Sequence, residues 1–276
     1  MSKRLLETEW NKIAEQWHKR IGEEEDWYRK NDIDPVIFEL LGNVRGKKIL
    51  EIGAGNGYFA RLLARRGAKV VATDVAPKLI SIAKKEENNI PLGIKYFVRD
   101  AANLNGIKCK QFDIVVANMC LISIADAEGT IKEASRVLKR NGRFVFSIIH
   151  PAFSDFCQYW TVTKLRGKKY FARVIPIYLS SSSEKFILPI AGIKEFKPTR
   201  YHRSIDTYFK YLKKADFLVS DFREIATKKP VTKAGKEDGD VTLRRSKYSK
   251  ISEKRMKELA GKEIPSFLVI GSVKFK

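Results

Sequence analysis

One segment, ILEIGAGNGYFARLLARRGAKVVATDV at residues 49–75, constrains the fold more than any other part of the chain. It opens with an apolar run typical of a short buried strand, and three alternating glycines, Gly53, Gly55 and Gly57, follow at once. Glycine allows positive φ and lets the backbone approach a ligand closely. A helix is predicted directly after the glycines. This order of strand, turn and helix N-terminus predicts a binding turn.

The alternation of strands and helices continues as far as residue 150. Further strands are predicted in AKVVATDV, IKYFV, FDIVVANM and GRFVFSII, with helices over residues 77–89 and 126–139. Such βαβ units form parallel sheets with helices on both faces. The sequence therefore predicts an α/β fold: a doubly wound, Rossmann-like, mostly parallel seven-stranded sheet. Residues 217–225 and 265–275 are expected to add an antiparallel strand at its edge.

The charges around the turn indicate the kind of ligand. A dinucleotide turn has the spacing G-x-G-x-x-G, whereas this chain has G-x-G-x-G with Glu51 two residues before it. A carboxylate at that place would repel a pyrophosphate but tolerates a cationic or zwitterionic ligand. Asp74 ends the next strand, where it can accept hydrogen bonds from both hydroxyls of a ribose. An NAD-dependent dehydrogenase is therefore disfavoured.

These residues resemble the first motif of the class I methyltransferases that use S-adenosylmethionine. That motif is a hydrophobic strand, then (E/D)-x-G-x-G-x-G, with an acidic residue at the end of the second strand. The resemblance extends over residues 47–150 and includes RDA at 99–101, FDIVVAN at 112–118 and VLKRNGRFVFSI at 137–148. It implies a methyltransferase with S-adenosylmethionine as cofactor and S-adenosylhomocysteine as product.

A looser resemblance links the flanking segments to small-molecule enzymes of the methyltransferase domain 11 and 25 type. The N-terminal segment, SIIHPAF, YHR at 201–203 and PSFLVIGSVKF carry it. Ala152 departs from this group, which has Cys or Ser after the HP pair, and the last loop is longer and more basic. The substrate therefore does not transfer with the resemblance.

The class I resemblance implies a set of cofactor-binding residues. They are Glu51, Gly53, Ala54, Gly55, Gly57, Asp74, Val75, Asp100, Ala101 and Asn118. Tyr28 and Arg29, in the predicted N-terminal lid, are added to this set as further candidates. The glycine turn would wrap the methionine part, and Glu51 would orient the turn or bind the amino group. Asp74 would hold the ribose hydroxyls, and Asp100 would accept from the adenine amine.

The remaining members of the set would complete the pocket. Val75 would lie against the adenine face, the Ala101 N–H would reach a ring nitrogen, and Asn118 would line the methionine end. Tyr28 and Arg29 would close over the cofactor carboxylate; the alternative is a solvated loop after an acidic run.

Four regions are expected along the chain. They are an N-terminal helical lid (1–45), a cofactor-binding core (46–150), a substrate-covering insertion (151–203) and a C-terminal completion of the sheet (204–276) with a basic loop at 227–262.

Three residues are candidates for acting on the methyl acceptor. Ligands of open α/β sheets lie outside the carboxyl ends of the strands, where His150 and Asn118 are predicted. His is the natural base near neutral pH, so His150 and then His202 are candidate bases, with Tyr201 beside them orienting the acceptor. The alternatives are a structural His150 that caps a strand and a His202 that anchors the following helix.

Charge and cysteine content bound the partners. The net charge is +22, of which +15 falls in residues 151–276, so a nucleic-acid partner and a lysine-rich solvated surface both stay open. The three separated cysteines form neither a disulfide framework nor a metal cluster, so we expect a cytoplasmic chain without a metal. No apolar run is long enough for a membrane span, and the N-terminus lacks a secretory pattern.

The favoured function is methyl transfer to an O or N atom of a small molecule by in-line displacement, in a monomer or homodimer. One alternative is an RNA or ribosomal-protein methyltransferase, although NMCL after the fourth strand departs from the pattern of enzymes that methylate base amino groups. The other alternative is a non-catalytic S-adenosylmethionine-binding protein.

Overall fold

The computed structural model describes residues 3–21, 26–153, 159–165, 167–185, 196–227 and 265–275. The strands are β1 (Lys48–Ile52), β2 (Lys69–Asp74), β3 (Lys95–Val98), β4 (Phe112–Asn118), β5 (Leu138–Ile149), β6 (Tyr159–Leu165), β7 (Lys168–Val174), β8 (Ser182–Lys185), β9 (Thr199–His202), β10 (Phe217–Ile225) and β11 (Phe267–Lys274). Seven of them form one sheet in the order β10-β11-β5-β4-β1-β2-β3. The chain therefore enters the sheet at its centre and winds outward to both sides.

The pairing of the strands confirms the predicted α/β class. Strand β1 runs parallel to β2 and β4, and the parallel order extends to β3 and β5. Strand β11 runs antiparallel to both β5 and β10. The antiparallel pairing thus lies at the predicted edge, with β11 one place inside it and β10 outermost.

Helices cover both faces of the sheet. They are α1 (Lys3–Ile21), α2 (Asp34–Leu41), α3 (Tyr58–Arg65), α4 (Pro77–Asn89), α5 (Ala127–Val137) and α6 (Ile205–Lys214). One core contains Ile37 of α2 and Leu63 of α3, and the opposite core contains Ile131 of α5 and Tyr208 of α6. Two buried faces explain why the parallel strands are apolar throughout rather than alternating.

The end of α5 differs from the prediction. The helix stops at Val137 rather than Lys139, and β5 begins at Leu138. Leu138 pairs with Phe112 of β4, and Asn141 adopts a φ of +61° next to Gly142. Pairing with β4 therefore overrides the helical preference of residues 138–140. The positive φ of Asn141 lets β5 continue past the register shift in its pairing with β4.

Helix α1 lies against α4, where Ala14 packs on Ala76 and Leu79. On its other side, Ile13 packs against Phe196, and Trp10 and Trp17 meet edge to face at 5.6 Å. The packed residues of α1 recur every three or four positions, as in an amphipathic helix with one buried face. No helix in the described part of the chain is long and apolar enough to cross a bilayer.

The segment after β5 forms short antiparallel pieces, as its irregular sequence predicts. Strands β6 and β7 make a hairpin, and β8 pairs with β9. Residues 154–158, 166 and 186–195 lie outside the described residues, as does the predicted basic loop 227–262 apart from Thr227. The proposed region boundaries stay predictions.

Candidate active site

The glycine turn lies at the carboxyl end of β1, at the centre of the sheet. Gly53, Gly55 and Gly57 have φ values of +69°, +57° and +80°. The Ala54 N–H donates to the Thr73 carbonyl of β2 at 2.9 Å, which ties the turn to the neighbouring strand. The turn therefore depends on a left-handed backbone that side chains of L-residues rarely adopt.

The three glycines have different surroundings. A Cβ at Gly53 would lie 2.4 Å from the Cβ of Cys120, and a Cβ at Gly57 would lie 2.5 Å from the Tyr96 hydroxyl. A Cβ at Gly55 would meet nothing within 4 Å. Gly53 and Gly57 thus let the turn pack against protein, whereas Gly55 leaves its backbone open to a ligand.

Asp74 fastens the turn from the end of β2. Its Oδ2 accepts from the Gly55 N–H at 2.8 Å, and its Oδ1 accepts from the Ala76 N–H at 2.9 Å. Burial raises the pKa of this carboxyl, and the backbone N–H groups oppose the shift. Each carboxylate oxygen has a second lone pair, so the ribose contacts proposed for Asp74 are compatible with this clamp.

Three carboxyl groups are buried around the turn: Glu51, Asp74 and Asp34. Burial raises the pKa of the Cys120 thiol beyond its ordinary range, and the nearby Asp74 and Glu51 raise it further, while Arg29 opposes them. The thiol donates to the Ile52 carbonyl at 3.1 Å. Buried anions need cationic partners, and the sulfonium and ammonium groups of S-adenosylmethionine provide two positive charges.

Asp34 belongs to a buried polar network at the ends of α2, β4 and β5. Asn118 donates from Nδ2 to Asp34 Oδ1 at 2.8 Å and accepts from the Ser147 hydroxyl at 2.8 Å. Burial raises the pKa of Asp34 to about 6, although Asn118, Arg29 and Tyr58 oppose the shift. Asp34 Oδ2 is buried without a hydrogen-bond partner among the described residues. This oxygen is a polar atom that a donor on a ligand would satisfy.

A cavity lies beside the turn, at the carboxyl ends of β2 and β3. It has a volume of about 480 Å³ and is lined by Val75, Val98, Arg99, Asp100, Asn103, Asn105 and Gly106. Asp100 is half-buried, and its Oδ1 accepts from the Ala102 N–H at 3.1 Å. The structure thus brings the predicted adenine contacts Val75 and Asp100 to one pocket, with Ala101 beside it.

The turn and the pocket together fit S-adenosylmethionine. Gly55 offers an open backbone, Asp34 offers a buried acceptor, and the cavity at Asp100 offers a separate place for a base. A pyrophosphate would instead face the buried carboxyls Glu51 and Asp74.

Tyr28 and Arg29 lie at the same edge of the sheet, at the start of a π-helical turn (Arg29–Ile33) that leads into α2. The Tyr28 ring contacts Phe267 at a centroid distance of 5.7 Å, and the Arg29 guanidinium lies 3.6 Å from Asp26. Arg29 is close enough to Asp34 and Cys120 to lower both pKa values. Its predicted role at the cofactor carboxylate stays a proposal.

Helix α1 contacts this site directly. Asn56, inside the glycine turn, hydrogen-bonds from Nδ2 to His18 Nδ1 at 3.2 Å. Asn11 Oδ1 accepts from the Lys78 N–H at 3.0 Å in the first turn of α4, and Glu9 accepts from the Thr199 N–H of β9 at 3.0 Å. The helix therefore joins the cofactor turn to the insertion.

His150 directly follows β5 and is held on the side of that strand that faces β11 and β10. Its Nε2 lies 2.9 Å from Glu224 Oε1 on β10, and its Nδ1 accepts from the Ala152 N–H at 3.2 Å. Burial lowers its pKa, while Glu224 opposes the shift. Both ring nitrogens are thus engaged, as in the alternative of a structural strand cap.

His202 and Tyr201 end β9 and differ in surroundings. His202 is buried, and its Nε2 lies 2.8 Å from the Tyr178 carbonyl. Tyr201 is half-buried beneath the Arg203 guanidinium, 5.3 Å from its ring centroid. Burial and Glu9 of α1 raise the Tyr201 pKa, so its hydroxyl stays protonated at neutral pH. Arg203 donates to the carbonyls of Leu121, Ile124 and Ala125, which fixes the loop after β4.

Sequence reasoning missed Asp34, Asn56 and His18 as parts of this site. The Asp34-Pro35 pair is typical of a helix start, so the local pattern gives no sign that this carboxyl belongs to the site. Asn56 lies within the glycine turn, but nothing in the local pattern shows that His18 contacts Asn56 or that Asp34 contacts Asn118, since those contacts span distant segments. Only the acidic character of Asp34 near a predicted anionic cluster could have drawn attention to it.

The comparisons with known proteins agree with this geometry. A family described as a methyltransferase domain matches residues 50–146. The chain is 26% identical over 164 residues to the ubiquinone biosynthesis O-methyltransferase of Coxiella burnetii, covering 59% of this chain and 68% of that protein.

Two solved structures share the fold. One is an S-adenosylmethionine-dependent methyltransferase from Mesorhizobium loti, with 21% identity, a TM-score of 0.61 and coverage of 87% of this chain and 96% of that one. The other is magnesium protoporphyrin IX methyltransferase from Synechocystis with bound S-adenosylmethionine, with 16% identity, a TM-score of 0.56 and coverage of 99% and 96%. The family match over residues 50–146 and the glycine turn between buried carboxyls lead to one conclusion: this chain is an S-adenosylmethionine-dependent methyltransferase, with S-adenosylmethionine as its cofactor.

Proposed function

We propose that this methyltransferase transfers the methyl group to an O or N atom of a small molecule. The observation that carries the proposal is the position of α1, which is hydrogen-bonded to the glycine turn through His18–Asn56 and to β9 through Glu9–Thr199. A helix that connects the cofactor turn with the insertion suits an acceptor small enough to fit beneath it. The names of the Coxiella and Synechocystis relatives, which refer to ubiquinone and protoporphyrin, also support a small-molecule acceptor.

The proposed cofactor contacts follow the geometry of the turn. Gly53, Ala54, Gly55 and Gly57 form the bend, Glu51 and Asp74 flank it, and Asn118 closes the methionine end together with Asp34. Val75, Asp100 and the Ala101 N–H would hold the adenine. When bound, S-adenosylmethionine supplies an electrophilic methyl group.

The chain must then align the acceptor and receive or release its proton. Tyr201 is the proposed acceptor contact, because it lies between α1 and Arg203 and its protonated hydroxyl can donate a hydrogen bond. His150 and His202 stay candidates for the base. To act as a base, each histidine would first have to break the hydrogen bond that its Nε2 atom makes. The role that we assign to this chain is therefore to align the acceptor with the methyl group.

We also propose a reducing, cytoplasmic location. Cys109 and Cys120 are free thiols, which is the usual state of cysteine in that compartment.

Incubation with methyl-labelled S-adenosylmethionine and fractionated lysate, with and without RNase, tests the proposed acceptor class. We expect label in the small-molecule fraction, unaffected by RNase. Asp74→Asn should abolish labelling, whereas the exposed substitution Asp206→Asn should leave it unchanged. Label in RNA or protein would contradict the proposal, and cofactor binding without any labelled product would favour a non-catalytic protein.

A further inference from the structure

A strongly basic surface lies where the amino ends of the sheet strands meet. The glycine turn lies at the carboxyl ends of the strands, on the opposite side. The cations of the basic surface lie at or near the amino ends of β1, β2, β4 and β5. We call this surface the basic face and define it by Lys47, Lys48, Lys69, Lys110, Lys139, Arg140 and Arg143, all of which are exposed. Strand β1 has five residues, so the two edges are separated by about 16 Å at ~3.3 Å per residue.

The basic face contains a cavity. It has a volume of about 440 Å³ and is lined by Leu41, Gly42, Asn43, Lys47, Asp113, Ile114, Lys139, Arg140, Asn141, Gly142 and Arg143. Asp113 is already neutralised, because Lys139 Nζ lies 2.6 Å from its Oδ1 and the Lys48 N–H donates to its Oδ2 at 2.8 Å. Lys47, Arg140 and Arg143 therefore leave the cavity with an excess of positive charge.

Several cations on this face lie beside one another, and the acid among them, Asp113, is paired with Lys139. Lys48 and Lys69 are register partners on the neighbouring strands β1 and β2, and both are exposed. Burial lowers the pKa of the Lys274 ammonium, and the nearby Lys110 lowers it further, while Asp216 opposes the shift. Lys274 donates to the carbonyl of Leu138, the residue before Lys139. The cations Lys110 and Lys274 therefore lie next to the cations at the start of β5. Neighbouring like charges repel, and an anion bound over them removes that cost.

We infer that the basic face binds the phosphate backbone of a single-stranded RNA, with a phosphate group seated in the cavity between Lys47 and Arg140. The exposed cations extend beyond the cavity across the amino ends of four strands, so a linear chain of phosphates can contact more of them than one lipid headgroup in the cavity can. The cations are mainly lysines on the ends of strands, which suits contact with phosphates rather than with bases.

The inference is separate from the proposed reaction. An RNA on the basic face lies on the far side of the sheet from Gly55 and Asp74, so it would be a docking partner and not the methyl acceptor. The cations of the basic face all lie before residue 151, so RNA binding there would give a role to part of the positive charge outside residues 151–276.

Fluorescence anisotropy with a labelled 30-nucleotide poly(U) RNA tests the inference on the full chain. We expect log affinity to fall with log salt with a slope of about −3 or steeper, as for four or more phosphate contacts on a single strand. The pair Lys47→Glu and Arg140→Glu should weaken binding by at least tenfold. The matched pair Lys84→Glu and Lys85→Glu, which changes the charge equally on the exposed side of α4, should weaken it less than threefold.

Three results would overturn the inference. They are equal losses in the two pairs, no salt-dependent RNA binding, and tighter Lys47- and Arg140-dependent binding to polyglutamate or phosphatidylserine vesicles than to RNA. Calorimetric binding of S-adenosylmethionine, unchanged in both pairs, confirms that the variants fold. Methyl label on the bound RNA would contradict the proposed small-molecule acceptor and would also refute docking without methylation.

Discussion

At the scale of the residue, the three glycines of the turn have distinct roles. Gly55→Ala adds a Cβ in open space at a φ of +57°, so the fold should survive with a loss of about 1 kcal/mol. Gly57→Ala also meets the Tyr96 hydroxyl at 2.5 Å and should destabilise the protein more. Thermal unfolding of the two variants measures the difference.

The same pair separates packing from binding. Gly55→Ala should weaken S-adenosylmethionine binding at least tenfold while remaining folded, because the new methyl group projects into the ligand space. If Gly55→Ala binds as tightly as the wild type, the ligand does not lie against this backbone.

Asp74 is expected to act through the turn as well as through the ribose. Asp74→Asn removes the acceptor of either the Gly55 N–H or the Ala76 N–H, since an amide presents one acceptor oxygen in place of two. We expect cofactor affinity to fall at least tenfold by calorimetry, with Asp206→Asn as the unchanged control. An unaltered affinity would show that the clamp is dispensable.

Asp34 makes stability depend on pH in an unusual direction. Its pKa is raised from 3.8 to about 6, so the folded protein holds the proton more tightly than the unfolded chain. The stabilisation is complete below about pH 4 and is lost as pH rises through 6, by up to roughly 3 kcal/mol.

Asp34→Asn should remove that dependence, because the amide carries no charge at any of these pH values. Urea unfolding between pH 4.5 and 8 should show the variant gaining stability relative to the wild type as pH rises. Parallel curves for the two proteins would contradict the assignment. S-adenosylmethionine should bind the wild type more tightly above pH 6, because the ionised carboxyl favours a cationic ligand.

At the scale of the element, α1 joins the cofactor turn to the insertion. Replacing both Asn11 and His18 with Ala removes the hydrogen bonds to Lys78 and Asn56. We expect faster hydrogen exchange in α1 and a three- to tenfold faster release of S-adenosylhomocysteine, measured by stopped flow. Lys12→Ala, exposed on the same helix, is the control, and equal release rates would contradict a role for α1 as a cover.

The core strands were predictable because each is a short apolar run bounded by turn residues. The glycine turn, Glu51 and Asp74 were predictable because chemistry and spacing lie within one segment. The end of α5 was not, since Leu138 joins β5 through its pairing with Phe112. The setting of His150 was not predictable either, because its partner Glu224 lies 74 residues away on β10.

At the scale of the whole molecule, the two edges of the sheet have opposite electrostatic character. Buried carboxyls surround the turn at the carboxyl edge, and exposed cations occupy the amino edge. The carboxyl edge should therefore select cationic nucleosides over dinucleotides, as thermal shift assays can measure.

S-adenosylhomocysteine at about 100 times its Kd should stabilise the fold by about 2.7 kcal/mol. For a chain of this size, that corresponds to a rise of roughly 5–10 °C in Tm. NAD at the same concentration should leave Tm unchanged, and a comparable shift with NAD would contradict the reading of Glu51 as a barrier to pyrophosphate.

The most direct test of the central claim is a crystal structure with S-adenosylhomocysteine. The homocysteine part should lie against the Gly55 backbone beside Asp34 and Asn118, with the ribose at Asp74 and the adenine in the cavity at Val75 and Asp100. Ligand density elsewhere, or an Asp74 side chain turned away into solvent, would contradict it.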